Sequence, residues 1–180
     1  MLALLKTLQA KGVKITGVGL QGHYRLDGPP CSNVDETISE ISKMGLKVMI
    51  TELDIDVLPV AESARGADVS FKAESQPELD PYTNGLPDAV QQQLAKRYAD
   101  LFSVFVKHRD TVTRVTFWGV ADGDSWLNRW PIVGRTSYPL LFDRNGKCKL
   151  AFESVIQTAK TKSEASLSDA KPASGLSNQK

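Results

Sequence analysis

Cysteine is scarce: the 180 residues hold two, Cys31 and Cys148. Thiols this far apart make neither a zinc site nor a closely spaced redox pair, so one disulfide and two buried thiols stay open as alternatives. A charge imbalance is equally lacking. The formal charge of +1 gives no reason to expect nucleic acid or an anionic membrane surface as a partner. No apolar run approaches the roughly 20 residues of a membrane span. The start, Met1-Leu2-Ala3-Leu4-Leu5-Lys6, has no basic leader and too short an apolar stretch for a signal peptide. Glycine-rich phosphate loops and metal-ligand clusters are missing, so neither a cofactor nor a metal is implied. At 41% hydrophobic and 24% charged, the remainder is ordinary for a folded domain.

What is present alternates in period. Residues 2–11 read as an amphipathic helix ending at Gly12, and Thr16–Gln21 as a strand. Residues 34–44 carry Val34, Ile38 and Ile41 at helical spacing, with Ser32 or Asn33 as the cap and Gly45 as the stop. Leu46–Glu52 forms the next strand. Pro87 opens the longest helix, 88–109, with Val90, Leu94, Tyr98, Leu101, Phe102 and Phe105 on one face. Val112–Trp118 is a third strand and about 149–160 a final helix. Strands alternating with helices predict parallel βαβ units. Two long connections, 57–86 and 119–138, follow strand ends, where binding loops belong. From 161 to 180 the chain is rich in Ser, Ala and Lys, which predicts a disordered tail after one domain at 1–160.

The segment Val48-Met49-Ile50-Thr51-Glu52-Leu53-Asp54-Ile55-Asp56 carries the chemistry. It begins apolar on both faces, as a buried parallel strand does. It ends with carboxylates at alternate positions. A two-residue period puts Glu52, Asp54 and Asp56 on one face with Val48 and Ile50, and Met49, Thr51, Leu53 and Ile55 on the other. Acids delivered at the carboxyl end of such a strand are how a parallel α/β protein builds an active site.

With Gly45 ahead of it, this segment resembles the nucleophile strand of family 10 glycoside hydrolases, the retaining endo-β-1,4-xylanases. Gly17-Val18-Gly19-Leu20-Gln21-Gly22-His23 resembles that family's sixth barrel strand. Thr116-Phe117-Trp118-Gly119-Val120-Ala121-Asp122-Gly123-Asp124-Ser125-Trp126 resembles its eighth. The resemblance runs in the family's order over residues 1–157. It implies the C-terminal part, about strands 6–8, of a (β/α)8 TIM barrel. A full barrel takes about 250 residues, so the sheet edges are expected to be open and prone to self-association.

The resemblance assigns Glu52 as nucleophile, with His23 bonded to it and Asp54 holding His23. Trp118 and Trp126 would be stacking platforms at the cleaved bond, and Gln21 a hydrogen-bonding partner of the sugar. It assigns no role to Trp130, where packing is expected. Asp122 and Asp124 read as turn makers, and His108 as a helix-end residue. The family's acid/base glutamate follows an asparagine on the fourth strand, and no Asn-Glu pair occurs here. The expected function is therefore the nucleophile half of a xylanase acting on xylan, without its acid/base half. The alternatives are an inactive chain that keeps carbohydrate affinity, and a barrel part that works with a separate upstream chain. Secretion is expected of the parent enzyme, because polymeric xylan cannot enter a cell.

Overall fold

The computed structural model describes residues 1–60 and 74–169, with side chains as far as residue 161. Its elements are α1 (Leu2–Ala10), β1 (Gly17–Leu20), β2 (His23–Arg25), α2 (Cys31–Lys43), β3 (Lys47–Asp56), α3 (Asp88–Lys107), β4 (Val112–Phe117) and α4 (Leu150–Asp169). Among the described residues these four strands pair in parallel, with β3 in the centre. β1 pairs with Lys47–Ile50 and β2 with Asp54–Asp56, while β4 pairs with β3 as well. The sequence predicts one strand over 16–21; the structure has two short ones laid end to end along β3. Gly22 makes the break. Its φ is +89°, and a Cβ there would lie 2.8 Å from Ile50 Cγ2, so glycine alone fits the turn that carries the chain on to His23.

The core lies between sheet and helices. Ile38 and Ile41 of α2, Leu94, Tyr98 and Leu101 of α3, and Val48, Ile50, Leu53 and Ile55 of β3 are all fully buried in it. Burial of each such aliphatic side chain is worth about 1.5–3 kcal/mol. Helix α2 starts at Cys31 with Pro30 at its N-cap and no side-chain cap, so neither Ser32 nor Asn33 performs that role. Arg97 of α3 instead ties down the preceding turn, donating to the carbonyls of Arg25 and Pro29 and to Cys31 Sγ. Both cysteines are free thiols; Cys31 is half-buried and Cys148 exposed. His108 does more than face a helix end: its Nε2 and Lys107 Nζ both bond Asp35, joining α3 to α2.

Two boundaries differ from the sequence expectation. Strand β3 runs on to Asp56 rather than ending at Glu52, and α4 continues to Asp169. The proposed tail thus begins within a helix, and its residues 170–180 lie outside the described residues, as does 61–73 of the connection expected at 57–86.

The phase of β3 also departs from simple alternation. Val48 and Ile50 point into the core, but so do Leu53 and Ile55, and the register with β4 is irregular between Ile50 and Leu53. The backbone records the same slip. Lys47 N–H bonds Thr16 on the β1 side and Val48 N–H bonds Thr111 on the β4 side. Beyond the irregularity it is Glu52 and Asp54 whose N–H groups reach Gln21 and Gly22. One inserted residue reverses the facing of everything after it. Glu52 and Asp54 therefore stand on the face opposite Val48 and Ile50, contrary to the two-residue period. Without that bulge both carboxylates would point into the helix-covered core.

Candidate active site

The bulge aims Glu52 and Asp54 at one face, and the turn at Gly22 brings His23 opposite Asp54 in register. The His23 ring spans the two acids. Nε2 lies 3.1 Å from Glu52 Oε2, and Nδ1 lies 2.9 Å from Asp54 Oδ1. An ionised carboxylate only accepts, so satisfying both contacts requires both ring nitrogens to carry protons. The triad is then carboxylate, imidazolium, carboxylate, with a net charge of −1. Burial alone would lower the affinity of the imidazole for its proton. The bonds and charges of Asp54, followed by those of Glu52, outweigh it and raise the His23 pKa above its ordinary 6.5.

Exposure divides the roles. Asp54 is 1% exposed, whereas Glu52 is 24% exposed and faces the open side. Asp54 Oδ2 accepts the indole N–H of Trp126 at 2.7 Å, so each of its oxygens is engaged. Asp56, the third acid of the strand, accepts Leu58 N–H at 3.0 Å and lies 4.0 Å from buried Arg135; it closes the strand end. Of the three acids, only Glu52 has room for a ligand.

The loop after β4 completes the site. Gly119 turns it, with φ at +144° and a Cβ position only 2.7 Å from Leu140 Cδ1. Trp118 is 46% exposed and meets His23 edge-on, with centroids 6.2 Å apart. Trp126 lies 5.0 Å from His23 and stacks on Trp130 at 4.9 Å, which gives Trp130 the packing role expected of it. Gln21 is exposed beside Glu52, whose N–H its carbonyl accepts at 2.7 Å. All six residues singled out by resemblance thus fall in one neighbourhood at the carboxyl end of β3.

Asp122 does more than make a turn. It is fully buried, accepts Leu140 N–H at 2.9 Å, and pairs with Lys149 Nζ at 2.8 Å. Lys149 also donates to the Tyr138 carbonyl, so the pair pins the start of the loop to its return. A lysine 27 positions away offers no local signal for this. Among the described residues no three His, Cys, Asp or Glu side chains are grouped to hold a metal, and no helix is long and apolar enough to cross a membrane.

A parallel α/β sheet that offers one accessible, histidine-bridged carboxylate beside the exposed indole of Trp118 is the kind of site a carbohydrate hydrolase uses. Comparison with known proteins gives the family. The model of glycosyl hydrolase family 10 matches residues 1–158, and the chain belongs to that family. It is 41% identical to an endo-1,4-beta-xylanase A of Xylanibacter ruminicola over 154 residues, covering 86% of this chain and 42% of that protein. It is 36% identical to a beta-1,4-xylanase of Dictyoglomus thermophilum, again covering 86% of this chain and 39% of the relative. Among solved structures, a GH10 endoxylanase from a sugarcane soil metagenome is 47% identical with a TM-score of 0.83, covering 87% of this chain and 45% of that one. A second, 35% identical with a TM-score of 0.70, is a mutant in complex with xylotriose. The chain spans less than half the length of these relatives.

Proposed function

We propose that the chain supplies the nucleophile side of a retaining endo-1,4-β-xylanase, corresponding to strands six to eight of a (β/α)8 barrel. The observation that carries this reading is the bridge from Asp54 through His23 to Glu52. It holds an ionised, partly exposed carboxylate in one orientation at the carboxyl end of a parallel strand. Glu52 attacks the anomeric carbon of a xylose unit; the carbon–oxygen bond to the leaving sugar breaks, and an ester to Glu52 forms. Water then cleaves that ester, regenerating the carboxylate and the retained sugar. Throughout, the imidazolium bonds one oxygen of Glu52 and leaves the other free to attack.

The proton for the leaving oxygen comes from a second carboxyl group about 5–5.5 Å away. Asp54 and Asp56 are both committed to internal bonds, so neither is free for this role. The family's acid/base glutamate follows an asparagine, and because the sequence holds no Asn-Glu pair this reading puts the acid/base outside this chain, where its loss lowers the rate on xylan by about 10²–10⁴-fold. Trp118, exposed beside the triad, offers the stacking face for a sugar ring, with Trp126 on the other contact of His23 and Gln21 bonded through its carbonyl to Glu52 N–H. The exposed Trp118 also supports a second reading, carbohydrate binding without turnover. Secretion of the parent enzyme accords with a polymeric substrate that cannot enter a cell.

Among the described residues β1 and β4 each pair with β3 alone, and a cleft beside β1 is lined by Leu20, Tyr24 and Val34. Unpaired edges with adjacent apolar surface favour self-association.

The test uses a xyloside with a leaving group acidic enough to depart unprotonated and a fluorine at C2 to slow ester hydrolysis. Mass spectrometry should find one xylosyl adduct, on Glu52, and none in Glu52→Gln. An unmodified chain that still binds xylo-oligosaccharides supports the binding reading instead.

A further inference from the structure

Asp54 is a carboxylate at 1% exposure, which must have a donor for each oxygen. His23 serves Oδ1. Oδ2 is served by Trp126, at 2.7 Å the shorter of the two bonds. We infer that Trp126 is a positioning residue: its indole N–H fixes the rotation of the Asp54 carboxylate, and through Asp54 it fixes the His23 ring against Glu52. The consequence for catalysis rests on the nucleophile reading above; the bonded relay itself does not.

The loop is built to hold that indole still. Ser125 is 1% exposed and its hydroxyl accepts Leu127 N–H, capping the short turn Trp126–Asn128. Asn128 donates to the Asp122 carbonyl at 2.8 Å and accepts Ser137 N–H at 3.0 Å. The Asp122–Lys149 pair locks the same loop to its return. Trp130 lies nearly parallel to Trp126, at 14°, and limits rotation of the ring. An indole has only two side-chain torsions, so little entropy is lost in holding it. Trp118 is different in kind: it is 46% exposed, and its contact with His23 is by ring edge. The two tryptophans divide the labour, one presenting a face to the ligand and the other a donor to the machinery.

The charged groups facing His23 are Glu52 and Asp54 of β3; the loop after β4 presents to it the neutral rings of Trp118 and Trp126. This makes the relay readable by NMR of the full chain. Three tryptophans give three indole N–H signals, and two histidines give two sets of ring signals. In the unmutated chain the Trp126 N–H should lie downfield, exchange slowly, and move with pH at the midpoint of the His23 ring protons. Trp130, whose Nε1 is buried without a hydrogen-bond partner among the described residues, should show no such movement.

Trp126→Phe assigns the signal and removes the donor while keeping an aromatic ring. It should raise the His23 midpoint by on the order of half a pH unit, since the Asp54 charge loses one of its two donors. The His108 ring signals should stay in place at fixed pH, reporting that the fold survives. A Trp126 signal at the free-indole position with no pH response would overturn the inference, and so would an unchanged His23 midpoint in a folded variant. If Trp126→Phe does not fold, the unmutated spectrum decides alone. Because no turnover is measured, failure here leaves the Glu52 adduct experiment untouched, and the reverse also holds.

Discussion

Replacing Lys149 with methionine tests how the site loop is held. Lys149 Nζ is 2.8 Å from Asp122 Oδ2, their side chains are 8% and 0% exposed, and the same ammonium donates to the Tyr138 carbonyl. Lys149→Met keeps the aliphatic stem and removes the charge, so packing changes little. Asp122 is left buried with one main-chain donor, from Leu140, and the Tyr138 carbonyl loses a bond. Removing one partner of a buried ion pair costs about 3–5 kcal/mol, a large part of the ~5–15 kcal/mol that stabilises a typical domain. The control is Lys96, whose pair with Asp100 is 2.6 Å long but 74% and 44% exposed. Lys96→Met removes an equally short contact and should cost about 0–0.5 kcal/mol. Urea unfolding of the three chains, followed by tryptophan fluorescence, measures both. Equal midpoints for the two variants would refute the argument, because burial and not contact distance is its basis.

The His23 bridge predicts a pH dependence. The folded-state pKa is raised above the ordinary 6.5, so the stabilisation is complete below that value and is lost as pH rises through the folded-state value. Thermal unfolding across this range should show the decline, and His23→Gln should flatten it. Gly22→Ala places a methyl group 2.8 Å from Ile50 Cγ2 at a φ of +89°; the loss should be about 2 kcal/mol or more by chemical denaturation. Thiol labelling should modify exposed Cys148 well before Cys31, whose sulfur accepts from Arg97; equal rates would contradict the packing there. The edges of β1 and β4, unpaired among the described residues, predict a sedimentation coefficient that rises with protein concentration.

Much of the fold was legible because its signals are local. Helical spacing of Val34, Ile38 and Ile41, and of Leu94, Tyr98 and Leu101, marks the faces that are in fact buried. The apolar run before Glu52 marks the central strand, and the glycine-punctuated segments that resemble the family marked the six residues now found together. The direction in which Glu52 points was not legible. Alternation predicts the core face, and the inserted residue between Ile50 and Leu53 carries no distinguishing side chain. The break at Gly22 was invisible for a related reason: its cause is the methyl group of Ile50, a residue of another strand.

Sequence by itself determined which chemical groups this protein has and which stretches bury their apolar faces, since period and composition act within a few residues. Only the tertiary structure decided what those groups do. Trp126 became a donor to Asp54, and Asp122 the partner of Lys149, because hydrogen bonds and ion pairs form across space between residues 72 and 27 positions apart. A charge is stabilised or penalised by what folding brings beside it, and no pattern along the chain records that.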